Sequence, residues 1–136
     1  MVRFDSEDVH VAALTLIGEA RGEDRQGMLA IAWVVRNRCE DGRWPDRPAS
    51  VAREELQFSA WNMRENNVGN LHRMLHAGFN DPLYRTARAI AAAAFEGLLD
   101  DPTGGANHYH TRAINPGWAD SDKETARLGD HVFYRL

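Results

Sequence analysis

The chain has 136 residues, of which 43% are hydrophobic, 9% aromatic and 26% charged. That is enough apolar content for one packed domain and too much for a disordered or fibrous chain. Sixteen Lys and Arg stand against twenty Asp and Glu, for a net charge of -4, and the cations are scattered rather than gathered in a stripe, which excludes the footprint of a nucleic-acid binder.

Three further absences narrow the class. The longest clearly apolar run, Met28 to Val35, is far short of the roughly 20 residues that cross a bilayer as a helix. The amino terminus, Met1 to Asp8, is charged and leads into a helical pattern rather than an apolar stretch with a cleavage site, so no export signal is expected in this chain. Cys39 is the single cysteine and has no partner for an intramolecular disulfide.

In chain order, Val9, Ala12, Ala13, Leu16, Ile17 and Ala20 follow the spacing of an amphipathic helix, with Asp5 or Ser6 as N-cap and Gly22 as the stop. A second helix is expected from Asp24 to about Cys39, apolar on nearly every side and therefore central and buried. Glu40 to Pro48 reads as a loop, after which Ser50 can cap a short helix leading to Leu56. From Gln57 to Asn80 the periodicity is poor, with one short helix around Leu71, Met74 and Leu75. Asp81 followed by Pro82 opens a helix that carries an alanine-rich body to Glu96 and closes at Gly97. Asp101 to Gly105 is a turn, lacking the lysine and the following helix of a phosphate loop. Ala106 to Thr111 and His131 to Arg135 have the content of two short strands. The expected fold class is α+β, a single mainly helical domain over residues 1–136 with a small C-terminal β-hairpin or sheet.

Three sets of residues could carry chemistry. Glu19 lies about 90° from the centre of the first helix's apolar stripe, a position that lines a groove wall. It also lies in the last turn, where the helix terminus disfavours an anion, so its pKa is expected to shift upward, as a general acid requires. The competing reading is a solvated glutamate paired with Arg21 or Arg25. The second set is His108, His110 and His131. If the flanking strands pair, three imidazoles with Glu19 could form a tetrahedral zinc site, although no helical HExxH or paired-cysteine spacing supports one; the alternative is hydrogen-bonded or substrate-contacting histidines. The third set is the mixture of aromatic and polar residues in loops: Gln57, Phe58, Ser59, Trp61, Tyr109, Asn115, Trp118 and Tyr134. Sugar rings stack on aromatic faces while their hydroxyl and N-acetyl groups seek amide and hydroxyl partners, so this mixture fits a carbohydrate groove as well as core anchors beneath long loops.

Five ordered segments carry a resemblance: Gly18-Glu19-Ala20-Arg21-Gly22-Glu23; Gln57-Phe58-Ser59 with Trp61; Asp101-Pro102-Thr103-Gly104-Gly105-Ala106; Tyr109-His110-Thr111 with Pro116 and Trp118; and Gly129-Asp130-His131-Val132-Phe133-Tyr134. Together they resemble the cell wall hydrolase family typified by the spore-cortex-lytic enzyme SleB. The resemblance implies a lysozyme-like domain acting on peptidoglycan at the β-1,4 bond between N-acetylmuramic acid and N-acetylglucosamine, as a lytic transglycosylase that leaves 1,6-anhydro-muramic ends. By motif, the catalytic glutamate is Glu19, with no cofactor or metal. Gln57, Ser59, Trp61, Tyr109, His110 and Trp118 are assigned to substrate binding; Glu23, Asp24 and Asp120 are the acids available should a second be required. The partner is the peptidoglycan glycan strand and the place of action the cell wall, reached without a leader in this chain, as in a phage-like lysis protein. Two rivals remain open: a zinc amidase or peptidase using His108, His110 and His131, and a non-catalytic wall-binding module.

Overall fold

A computed structural model describes residues 2–20, 23–54 and 80–136. Helix α1 spans Ser6–Glu19, α2 Arg25–Asp41, α3 Pro48–Arg53 and α4 Pro82–Glu96. Strands β1 (His108–Thr111), β2 (Glu124–Leu128) and β3 (His131–Tyr134) follow, with a short 3-10 turn at Ser121–Lys123 before β2. They form one antiparallel sheet in the order β1-β3-β2. The fold is the expected α+β one.

Helix α1 begins with a reciprocal cap. The Asp5 carboxylate accepts from the Asp8 N–H at 3.0 Å, and the Asp8 carboxylate accepts from the Asp5 N–H at 2.9 Å. The helix is buried almost all round from Asp8 to Gly18, more deeply than an amphipathic stripe predicts, because α2, α3 and α4 all pack on it. Thr15 is accommodated in this core by returning its hydroxyl to the Val11 carbonyl at 2.8 Å. The helix ends at Glu19, short of the expected stop at Gly22. Ala20 leaves helical geometry at φ -97°, ψ 27°, and its carbonyl accepts from the Glu23 N–H at 2.9 Å.

Helix α2 is capped by the Asp24 side chain and runs to Asp41, two residues beyond the expected Cys39, with Gly42 as a left-handed C-cap. Helix α3 corrects the sequence expectation more sharply. It starts at Pro48, not behind Ser50, and its N-cap residue Arg47 makes no side-chain cap bond. The cap comes instead from α1. Asp8, 2% exposed, accepts the Ala49 N–H at 2.9 Å and two bonds from the Arg47 guanidinium at 3.0 and 2.7 Å. A cap supplied by tertiary contact leaves no local signature. Helix α4 has its expected limits, Asp81 as N-cap and Gly97 as left-handed C-cap. Ala87, Ala91 and Ala94 are fully buried, so this helix approaches the others closely.

The turn at Asp101 feeds the sheet as expected. The Asp101 carboxylate accepts from the Thr103 N–H and hydroxyl, the Gly105 N–H and the Asn37 amide at 2.6–3.0 Å. Asn37 also reaches the Ala106 carbonyl at 2.9 Å, and Arg38 Nε donates to the Asn107 carbonyl at 2.7 Å, so α2 holds the start of the sheet. Strand β2 was not expected. Its alternating Glu-Thr-Ala-Arg-Leu is too polar to stand out, yet the two-residue Gly129-Asp130 connection to β3 is a hairpin signature, and Gly129 has φ +55°. Strand β3 is buried along its whole length, as the central strand of three must be.

Candidate active site

Pleating sorts the residues of β1 to opposite faces. In the β1-β3 register His108 lies opposite Tyr134, Tyr109 opposite Phe133, His110 opposite Val132 and Thr111 opposite His131. Tyr109, His131 and Phe133 therefore share the face turned to the helices, where Phe133 joins the core with Leu16 and Phe95. His108, His110, Val132 and Tyr134 share the outer face.

On the inner face, the Tyr109 hydroxyl donates to Glu19 Oε1 at 2.9 Å. Glu19 is half-buried at the carboxyl end of α1, and this bond spans the junction between helical layer and sheet. Burial, with the Glu19 charge second, pushes the Tyr109 phenol well above its ordinary value, so it stays a protonated donor. The Tyr109 ring meets the His131 ring edge-on, with centroids 5.2 Å apart and planes at 78°, and lies 5.8 Å from the Phe133 ring. His131 Nδ1 is 3.2 Å from Glu23 Oε1, which also accepts the Asp130 N–H at 3.1 Å.

Beneath this group Arg38 is only 3% exposed. Burial lowers it from its ordinary value, opposed by neighbouring acids, of which the carboxylates Glu54 and Glu19 are what make a buried guanidinium tolerable. Sequence reasoning passed over Arg38 and the Glu23–His131 contact. Arg38 is the one cation among the buried positions of α2, where Arg25 and Arg36 lie at less buried ones.

The outer face gathers the other aromatic candidates. Trp118, 41% exposed, touches the rings of His108 (5.1 Å), His110 (5.7 Å) and Tyr134 (5.5 Å). His110 Nε2 lies 2.8 Å from the Tyr134 hydroxyl and its Nδ1 2.7 Å from the Thr111 carbonyl. A depression of about 350 Å³ opens here, bordered by His110, Asn115, Arg127 and Tyr134. His108 is pushed down to about 4 by burial and by the nearby Arg38 and Arg43 cations, which makes it neutral in ordinary buffers.

Of the expected site residues, Glu19 and Tyr109 are thus joined, while His110 and Trp118 stand on the other side of the sheet. Gln57, Ser59 and Trp61 lie outside the described residues. The zinc arrangement of His108, His110 and His131 is not formed. The strand register turns His131 inward, towards Glu23, and the other two outward. Among the described residues, no group of three or more His, Cys, Asp or Glu is placed to hold a metal. No described helix is long and apolar enough to cross a membrane.

Comparison with known proteins follows the same outline. The profile of the family described as Cell Wall Hydrolase matches residues 22–134. The spore cortex-lytic enzyme of Halalkalibacterium halodurans is 30% identical over 131 residues, which cover 96% of this chain and 35% of that protein. That of Bacillus subtilis strain 168 is 30% identical over 132 residues, 96% of this chain and 38% of that protein. The chain spans well under half the length of these relatives. Among solved structures, the catalytic domain of the germination-specific lytic transglycosylase SleB from Bacillus anthracis superposes with a TM-score of 0.74 at 25% identity, covering 96% of both chains. The catalytic domain of Bacillus cereus SleB superposes with a TM-score of 0.75 at 24% identity, covering 98% of this chain and 93% of that one, and shows the shared fold.

Proposed function

From the premise that this chain belongs to the cell wall hydrolase family, we propose that it is a peptidoglycan-degrading enzyme that cleaves the glycan strand between N-acetylmuramic acid and N-acetylglucosamine, with Glu19 as general acid and base. The observation that carries the assignment is the 2.9 Å bond from the Tyr109 hydroxyl to Glu19. Glu19 itself precedes the family match over residues 22–134, and the bond ties it to Tyr109 within that match. A carboxyl oxygen accepts such a bond whether or not the group is protonated, so the hydroxyl holds the acid's orientation through both halves of a proton transfer.

In this reading Glu19 gives its proton to the glycosidic oxygen as the muramic acid ring gains oxocarbenium character. The carboxylate left behind is steadied by the Tyr109 hydroxyl and by the Arg38 charge beneath. It then takes the proton of the C6 hydroxyl, whose oxygen closes onto C1 to form the 1,6-anhydro ring. Proton and electron pairs balance: the leaving oxygen gains the proton that the C6 hydroxyl later replaces on Glu19. An internal hydroxyl replaces water, so no second carboxylate is required. We assign His110 and Trp118 to a strand that continues past the sheet edge onto the outer depression, with Gln57, Ser59 and Trp61 as further contacts. The place of action is the cell wall.

The test is mass spectrometry of the fragments released from purified peptidoglycan. New muramic ends lighter by one water than the hydrolytic product are expected; only hydrolytic ends would overturn anhydro-ring formation, and intact glycan with cut peptide stems would overturn glycan cleavage.

A further inference from the structure

Glu23 is the second acid of the Gly18–Glu23 segment, and its surroundings differ from those of a reacting group. Its side chain is 14% exposed and its Oε1 is engaged twice, by the Asp130 N–H at 3.1 Å and by His131 Nδ1 at 3.2 Å. Two glycines make the space. A Cβ on Gly27, within α2, would lie 2.5 Å from Glu23 Cβ, and a Cβ on Gly129, in the β2-β3 turn, would collide with Glu23 Oε2. Helix α2 and the β2-β3 turn thus both close around this one side chain.

The consequence runs inward. His131 has an 8% exposed side chain, fixed at one edge by Glu23, and its ring supports the Tyr109 ring at 5.2 Å. Tyr109 in turn donates to Glu19. We propose that Glu23 and His131 are positioning residues for the glycan-cleaving reaction, a buried pair that fixes the Tyr109 ring and thereby aims its hydroxyl at the Glu19 carboxyl. Resting as it does on Glu19 being the acid, this assignment gives Glu23 a role distinct from a second catalytic carboxylate: it acts on Glu19 through two rings.

The experiment is a double-mutant cycle on the whole chain, reading the initial rate of soluble fragment release against peptidoglycan concentration, with a thermal melt of each variant. Glu23→Ala is expected to lower kcat about 10- to 100-fold, the scale on which small displacements of catalytic groups act, with KM within about twofold. Glu23→Gln, which keeps an acceptor oxygen in the same cradle, is expected to recover most of the rate. In a Tyr109→Phe background, Glu23→Ala is expected to cost no more than about twofold further, because the hydroxyl it serves is gone. Should Glu23→Ala not fold, His131→Phe, which preserves a ring but removes Nδ1, is expected to show the same loss in the native background and the same silence in Tyr109→Phe. A full rate in Glu23→Ala, or an equal factor lost in both backgrounds, would overturn the proposal. Glu19→Gln separates the two levels. If it is inactive while the cycle is additive, only the positioning role falls; if it is fully active, Glu19 is not the acid and the positioning role falls with it.

Discussion

The two faces of the small sheet carry similar residues and do different work. Inward, Tyr109, His131 and Phe133 are packed against the helices and linked to Glu19 and Glu23. Outward, His108, His110, Tyr134 and Trp118 form a second ring cluster beside an open depression. The difference comes from a period of two along a four-residue strand, His108-Tyr109-His110-Thr111, which sends one ring to the acid and two imidazoles away from it. A cluster of histidines and tyrosines in sequence is therefore not one site; register divides it.

The contrast can be broken first through stability. Phe133, 1% exposed on the inner face, should lose about 3–5 kcal/mol on replacement by alanine, whereas Trp118→Ala on the outer face should stay within about 1 kcal/mol; urea unfolding of the two variants decides. A second break is catalytic. Tyr109→Phe removes a bond to a carboxyl group, and since hydrogen bonds to charged groups contribute about 1.5–3 kcal/mol, the rate of fragment release should fall roughly 10- to 100-fold. A rate within about twofold of the native protein would separate the inner face from the reaction.

The pH dependence sharpens the picture of the outer face. His108 is held at about 4 in the fold against an ordinary 6.5, so the unfolded chain takes up its proton first. Stability should thus decline as pH falls from about 6.5 to about 4 and gain no further slope from this group below that, by on the order of 1–2 kcal/mol once partial exposure is discounted. His108→Phe should flatten that part of the profile relative to the native protein, and an unchanged profile would contradict the burial argument. The smallest effect expected is on substrate affinity: Trp118→Ala should raise KM a few-fold at unchanged kcat if the glycan crosses the outer depression, and an unaltered KM would confine the substrate to the other side.

Local signals sufficed where the determinant was local. Asp81-Pro82 and Gly97 bracket α4, and Asp101 with its two glycines is a turn whose partners lie mostly within four residues. They failed where the partner was distant. The cap of α3 is Asp8 of α1, so Ser50 looked like the better candidate. Strand β2 is polar because one of its faces is solvated, and only the Gly129-Asp130 turn betrayed it. Glu19 was accessible from both helix geometry and motif, and Tyr109 from its aromatic character, but their bond joins residues 90 positions apart. The Glu23–His131 contact is of the same kind. No spacing rule brings a residue after the first helix to the last strand.

The central claim is a proton on one carboxyl group, and its most direct test is Glu19→Gln assayed for soluble fragment release from purified peptidoglycan beside its thermal melt. The amide preserves the shape and can still accept from Tyr109, so the account predicts a melt close to that of the native protein and no release above background. Release at the native rate by the folded variant would contradict it.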